Sequence, residues 1–473
     1  MPAILIIVPL LGILILNILN NKTGEKIARP IGLIVALAQI VAVLASWISL
    51  WHNHAVSMDV EILGATFQLD IITMVVTLAI GMVVLMTLLT EKATREHPSI
   101  SFTSLLFVLM LGMNGIAMVR DLFSLYVFLE ITGISTFILI AYDKDVSALS
   151  GSFKYLLMSA LASAFILSGI AMLFMQFGSV DFISVAAAMG DGSQLSVLTL
   201  TAVLLITAGI AIKAGMVPFH GWVADAYSSA PAAISVLVGG IVTKMAGMYA
   251  VMRLCMEVFS MVKPMTMSIL VLGTISIVVG ALVAMSQTDL KRVLAYSSIS
   301  QLGYIAVGVA TASPIGLAGA LLHFFNHSTF KSNLFVNAAA LEKQVGTRDI
   351  REMGGLQEKM PVTAVTSILS LLSAAGIPPL GGFWSKVLII IALWQADLKI
   401  FAVIAVLASI LTIGYFLYLQ RSIFFGKLKE GLEHVTEAKG LLAVAAIVLS
   451  AVSVAIGVLF PILLIVYNAQ GLL

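Results

Sequence analysis

Long apolar runs dominate this chain and limit what it can fold into. Fourteen stretches (2–21, 28–51, 68–90, 99–119, 121–142, 153–178, 197–228, 230–258, 263–287, 291–312, 315–341, 361–397, 399–425 and 438–468) are predominantly apolar. A helix crosses a bilayer with about 20 such residues. Backbone polar groups in hydrocarbon must be satisfied within the segment, so these runs predict helices. Of the 473 residues, 60% are hydrophobic and 10% charged. Soluble domains carry about 25% charged residues, so a soluble globular enzyme is excluded. The first run has no basic residue before it and no small-residue cleavage site after it, so a span is expected there rather than a signal peptide. The longest polar stretches, 179–196 and 342–360, are too short to form a nucleotide-binding domain.

Basic residues fall unevenly on the connections. One alternate set of loops holds Lys22, Lys26, Arg29, Lys92, Arg95, Lys144, Lys154, Lys291, Arg292, Lys343, Arg348, Arg351, Lys359, Arg421, Lys427, Lys429 and Lys439. The other set holds only Arg120, Lys263 and Lys399. Lysine and arginine accumulate on the cytoplasmic side of membrane proteins. The bias therefore places the first set inside and both termini outside, as an even number of spans requires. A net charge of +2 gives no reason to expect nucleic acid as a partner. The single cysteine, Cys255, cannot form an internal disulfide, an iron–sulfur site or a cysteine-based zinc site.

The charges left inside the spans carry the functional signal. Arg253 lies near the end of its span, where its head can snorkel to the surface. Glu130, Lys213, Lys244, Lys331 and Lys386 lie deeper, and His323 and His327 share a span with Lys331. A charge at the bilayer centre costs about 2.5–3.5 kcal/mol on insertion scales. Seven titratable groups at similar depth are costly as pure structure. Burial and neighbouring opposite charges move a pKa in opposing senses, so such a row can exchange protons as each neighbour changes state. His323, His327 and Lys331 recur every fourth residue and form one helical stripe about 12 Å long. Histidine titrates near neutrality and has two ring nitrogens, which suits a relay. Two spans also carry breakers. Lys213 is followed by Gly215 and Pro218, and Gly376, Pro378, Pro379, Gly381 and Gly382 precede Lys386. Interrupted helices in two halves of a chain mark ion sites in transporters.

Each feature has a plainer reading. Glu130 and a lysine could form a static ion pair, Lys331 could anchor Ser328, Ser332 and Asn333, and Pro218 could be a simple kink. His323 and His327 could bind zinc, although no Asp, Glu or Cys accompanies them on that helix. His220 and Asp225, past the first break, are either loop contacts or a point of proton uptake. Asp143, Asp145 and Asp289 read as solvated charges or helix caps. His52, His54, His97 and His434 fall in loops and are assigned no role. The row as a whole carries the weight, since independent accidents would scatter in depth.

Several segments resemble the antiporter-like subunits of complex I, membrane-bound hydrogenases and Mrp-type cation/proton antiporters. They are Asp121–Glu130, Lys213–Asp225, Ala230–Ser235 leading to Lys244, Asp289–Gly303, His323–Lys331 and Gly376–Lys386, in the family's order. The run Val217-Pro-Phe-His-Gly-Trp and the following Ala230-Pro231 look closer to the complex I and hydrogenase types than to Mrp. The resemblance implies an all-α integral membrane protein of about fourteen transmembrane helices. Helices 4–8 and 9–13 would form two inverted five-helix repeats, with helices 7 and 12 broken. The corresponding segments are 1–98, 99–258, 259–425 and 426–473. It also implies that Glu130 pairs with Lys213 across a subunit junction. Lys244, His323, His327 and Lys331 would carry a hydrophilic axis with Lys386 near its exit.

The expected function is proton translocation within a redox-driven membrane complex of a prokaryotic-type cytoplasmic membrane. No cofactor is expected in this chain. Iron–sulfur and other redox centres would lie in peripheral partner subunits, and sister antiporter-like subunits would flank it in the lipid bilayer. The transported ion would be the proton, with sodium as the alternative. Two other readings stay open: a subunit of an Mrp-type Na+/H+ antiporter, and a structural spacer with an inactive channel.

Overall fold

The structure, a computed structural model, describes residues 2–19, 21–53, 55–62, 64–95, 99–190 and 195–469. His54 and His97 lie outside these residues, as do the side chains of Asn21, Lys22 and positions from 462 onward. The chain divides into two compact units, Met1–Ile269 and Leu270–Leu473.

The first unit holds α1 (Pro2–Ile18), α2 (Asn21–Asn53), a hairpin of β1 (Ser57–Ile62) and β2 (Ala65–Asp70), α3 (Ile71–Thr94), α4 (Ile100–Met118), α5 (Leu122–Ile140), α6 (Val146–Phe177), α7 (Phe182–Met189), α8 (Val197–Ala214), α9 (Val223–Ser229), α10 (Ala232–Leu237) and α11 (Ala250–Glu257). Two π-helical segments, Val238–Val242 and Lys244–Tyr249, link α10 to α11 as one rod. α12 (Lys263–Met285) carries the chain onward. The second unit continues with α13 (Leu290–Ala310), α14 (Pro314–Val345), α15 (Pro361–Ala375), α16 (Gly381–Gln395), α17 (Lys399–Phe424) and α18 (Leu441–Ala469).

Among the described residues, 11 helices are long and apolar enough to cross a membrane. α1, α15 and α16 are apolar but shorter. α14 is long, but its middle is occupied by His323, Asn326, His327, Lys331 and Asn333. The chain is a multi-pass membrane protein. Aspartate and serine set many of the helix starts. Asp70, Asp121, Asp145, Asp181 and Asp289 each accept a backbone N–H three residues on, capping α3, α5, α6, α7 and α13.

The hairpin corrects the all-α expectation. Val60 and Ile62 alternate with Asp59 and Glu61, and Phe67 and Leu69 are buried on the paired strand. That period of two is a strand signal, but it is too short to register against helix-length hydropathy.

Inside the first unit, Gln39 and Asn114 exchange amide hydrogen bonds of 3.1 and 2.7 Å between α2 and α4. They also reach Thr77 O and Leu5 O, which ties four helices together. α6 and α8 cross at small residues: a Cβ at Gly169 would lie 2.7 Å from Ala202 O, and one at Gly209 would lie 2.7 Å from Ala162 O. Such close approach is the usual basis of helix pairing in membranes. It brings the next turn of α8, with Lys213, against Ser159 and Ser163 of α6.

Loops group by end within each unit. Arg29 binds Glu91 and Arg95 O, and Arg95 pairs with Asp143, so three connections meet at one end of the first unit. At another cluster, Arg120 and Arg253 share Asp70 and Glu257. Arg253 therefore does not snorkel. It is buried, and Thr73 and Tyr249 also accept from it. In the second unit, the N–H groups of Gly355, Leu356 and Gln357 donate to the carbonyls of Phe425, Ile423 and Phe424.

Each unit also contains an isolated antiparallel bridge. Asp121 pairs with Asp181 in the first, and Asp289 pairs with Asp349 in the second.

Candidate functional site

The first cluster joins α5, α6 and α8. Lys213 Nζ donates to Glu130 Oε1, Ser159 Oγ and Ser163 Oγ, each at 3.2 Å. Ser163 Oγ in turn donates to Glu130 Oε1. The pair that the resemblance places across a subunit junction thus closes within this one chain. Lys213 is almost fully buried, whereas the Glu130 side chain is 29% exposed. Glu130 shares an outward face of α5 with Phe123, Val127 and Ile134, all exposed. A carboxylate therefore opens onto an apolar surface stripe.

Lys244 is fully buried on the π-helical rod. Its Nζ donates to the carbonyls of Gly239 and Gly240 at 2.7 and 2.6 Å. π-Helical turns are frequent at functional positions.

The second unit carries the longest polar series. Lys331 Nζ donates to Leu294 O at 2.8 Å and to Ser297 Oγ. The rings of His323 and His327 lie 6.2 Å apart. His323 Nδ1 is 2.9 Å from Ser385 Oγ, and its ring centre is 5.8 Å from that of Tyr304. Lys386 Nζ lies 4.5 Å from the centre of the Tyr304 ring. His323, Tyr304, Ser385 and Lys386 therefore form one contiguous group, with His327 beside it.

Both helix breaks follow one local logic. α8 ends at Gly215 (φ +67°) and α15 ends at Gly376 (φ +83°), a left-handed conformation suited to glycine. Pro218, Pro378 and Pro379 lie in the turns that follow, and the Val217–Pro218 and Pro378–Pro379 peptides are cis. Lys386 folds back so that its Nζ donates to Ala374 O at 2.8 Å and Ala375 O at 3.5 Å. A cation thus sits on the negative end of the preceding half-helix. At the first break, Trp222 Nε1 donates to Ile212 O at 3.2 Å.

A family match covers residues 119–412 and is described as NADH:quinone oxidoreductase/Mrp antiporter, TM. The chain belongs to this family. It is 33% identical over 368 residues to an Na(+)/H(+) antiporter protein of Alkalihalophilus pseudofirmus, covering 78% of this chain and 74% of that protein. It is 30% identical over 456 residues to the F(420)H(2) dehydrogenase subunit M of Methanosarcina mazei, covering 93% and 90%. A chain in the structure of the Mrp complex from Dietzia sp. DQ12-45-1b superimposes with a TM-score of 0.88 at 25% identity, covering 98% of this chain and 95% of that one.

In this antiporter-like chain, the residues singled out by sequence separate into three places. Glu130 and Lys213 meet directly. Lys244 occupies its own rod. His323, His327, Lys331 and Lys386 lie along the second-unit series. Asp225 forms an ion pair with Lys154 Nζ at 2.5 Å, and half-buried His220 lies one turn earlier. Among the described residues, no three His, Cys, Asp or Glu side chains gather as a metal site. The sequence reading passed over Ser159, Ser163, Ser297, Tyr304 and Ser385, which supply the contacts between charged groups. It also passed over Gln301 and Asn326, both fully buried, whose amide oxygen and nitrogen have no protein hydrogen-bond partner.

Proposed function

We propose that this chain is a proton-translocating, antiporter-like subunit of a redox-driven membrane complex. One observation carries the translocation reading. Lys331 and Lys386 are buried in the protein, yet their ammonium groups meet neutral oxygens and aromatic rings, with no carboxylate at ion-pair distance among the described residues. A buried lysine kept for structure is normally paired with an acid, because an unpaired buried charge is expensive. A lysine held by neutral oxygens can release its proton without leaving an orphaned carboxylate. Gln301 and Asn326 support the same reading, since buried amides need partners and ordered water supplies them in polar cavities.

The working cycle begins at Glu130. This residue faces the outer stripe of α5, where a sister subunit would cover it. A change of charge there opens or closes the Glu130–Lys213 pair. Unit charges 4 Å apart at an effective dielectric of about 20 interact by about 4 kcal/mol. Opening the pair is therefore large enough to change the protonation of Lys244. The proton then passes by way of Lys331, His327 and His323 to Lys386. His220 and Asp225 mark the uptake side.

The architecture we infer is fourteen spans, counting α1, α14 and the broken α15–α16 with the eleven apolar helices. The two bridges support an inverted repeat, because both partners are offset by the same 168 residues. By the distribution of lysine and arginine, the Asp121–Asp181 bridge lies outside and the Asp289–Asp349 bridge lies inside. Both termini would then be outside a prokaryotic-type cytoplasmic membrane. Redox centres, including iron–sulfur clusters, belong to partner subunits in this reading.

The F(420)H(2) dehydrogenase relative, matched over nearly the whole of both chains, favours a redox-driven parent complex. The antiporter relative, more identical over a shorter span, favours an Mrp-type Na+/H+ antiporter as the second reading. Co-purification decides between them: iron–sulfur or quinone-linked subunits support the first, and small membrane-only partners support the second. For translocation itself, Lys244→Ala in the intact complex is expected to lower proton uptake per electron in reconstituted vesicles at least tenfold. Unchanged pumping would refute the relay and leave a structural spacer.

A further inference from the structure

The second unit contains a basic cleft that ion translocation does not use. Its cavity of ≈ 390 Å³ is lined by Arg351, Tyr418, Arg421, Phe425, Lys427 and Lys429, among others. The backbone builds its walls. The N–H groups of Gly355, Leu356 and Gln357 bind the last carbonyls of α17, and Lys429 N donates to Gly354 O. Gly355 has φ +66°, and a Cβ there would lie 2.4 Å from Leu428 N, so glycine alone lets the two loops close together. These bonds also cover the carbonyl end of α17, which would otherwise oppose an anion.

The charge balance of the cleft is positive. Arg351 is neutralised by Asp349, whose hydrogen bonds from Arg351 hold its carboxyl down at about 2. Arg421, Lys427 and Lys429 remain, all exposed. Lys429 Nζ contacts Arg351 O, which aims it across the cleft. Glu352 and Glu430, the acids next in sequence, do not line it. Directly below, α17 presents an exposed apolar face of Val403, Leu407, Ile410 and Leu417, with Tyr418 and Phe425 at the cleft's rim. Cations above an apolar stripe, joined by aromatic residues, match a molecule with an anionic head and hydrocarbon tails.

We propose that this cleft is a binding site for an anionic phospholipid. Its phosphate is held by Arg421, Lys427 and Lys429, and its acyl chains lie along α17. The test uses the purified full chain in mild detergent after exposure to phosphatidylcholine vesicles with or without phosphatidylglycerol, read by native mass spectrometry. Wild type is expected to retain phosphatidylglycerol in preference to phosphatidylcholine. Each cation contributes about fivefold in affinity, so Arg421→Gln/Lys427→Gln/Lys429→Gln should weaken retention about hundredfold. Lys26→Gln/Lys92→Gln, which removes exposed cations elsewhere, should leave it unchanged. Equal retention of the two lipids by wild type overturns the proposal without reference to any variant. So does retention by the triple variant, displacement by millimolar inorganic phosphate, or recovery of the cleft filled by an acidic polypeptide instead of lipid.

Discussion

At the scale of single residues, the buried lysines differ in what surrounds them, and the difference predicts how each responds to loss of charge. Lys331 Nζ meets Leu294 O and Ser297 Oγ. Replacing it with methionine leaves only neutral groups behind. Lys213 meets Glu130, and its removal leaves a carboxylate facing an apolar corner. Breaking a buried pair costs about 3–5 kcal/mol. Because Glu130 is partly exposed, about 1–2 kcal/mol is expected here. Thermal unfolding in detergent should therefore show Lys213→Met destabilised, Lys331→Met near wild type, and Glu130→Gln/Lys213→Met partly restored. A double variant no more stable than Lys213→Met would contradict the pairing. The charged residues were legible in the sequence because charge in an apolar run is conspicuous. Ser163 and Ser385 were not, because serine is common in membrane helices, and which serine faces a lysine depends on how helices pack. Tyr304 was hidden for the same reason.

At the scale of elements, the cluster of Asp70, Arg120, Arg253 and Glu257 joins β2, the start of α5 and the end of α11. Burial pushes the Asp70 carboxyl upward, but the Arg253 hydrogen bond and charge, the Thr73 N–H and Arg120 outweigh it and hold it at about 2. A carboxylate depressed in the folded state stabilises above its unfolded value of about 3.9, and the effect fades as pH falls toward 2. The shift corresponds to about 2 kcal/mol at neutral pH. Asp70→Asn should therefore melt well below wild type at pH 7, and the two melting curves should converge between pH 4 and pH 2. Parallel curves across that window would show that the cluster contributes through packing alone. This cluster was invisible in the sequence, where Arg253 read as a snorkelling residue. Its partners come from positions 70, 120 and 257, and the hairpin that presents Asp70 is six residues per strand. The broken helices were legible because glycine and proline act locally.

At the scale of the whole molecule, the charge asymmetry of the loops carried most of the topology. Alternation of lysine and arginine depends on summed charge, not on any single contact, so it survives errors of several residues in helix boundaries. The second unit offers a direct test of orientation. α17 runs from Lys399 to Phe424, 26 residues or about 39 Å of helix, which exceeds the hydrocarbon thickness of about 30 Å. Lys399 and Lys427 must then emerge on opposite sides. Loop 354–357 is bonded to the Lys427 end, so the basic residues Lys343, Arg348, Arg351 and Lys359 flank the same surface as Lys427. The chain's single cysteine, Cys255, is fully buried and makes a silent background. A membrane-impermeant maleimide applied to intact cells should label Lys399→Cys and leave Lys427→Cys untouched, with the reverse in inverted vesicles. Lys399 makes only an exposed pair with Asp397, so its replacement should cost little stability. Labelling of Lys427→Cys from outside would invert the orientation. The cationic cleft would then face the exterior, and His220 and Asp225 would move from the uptake side to the release side.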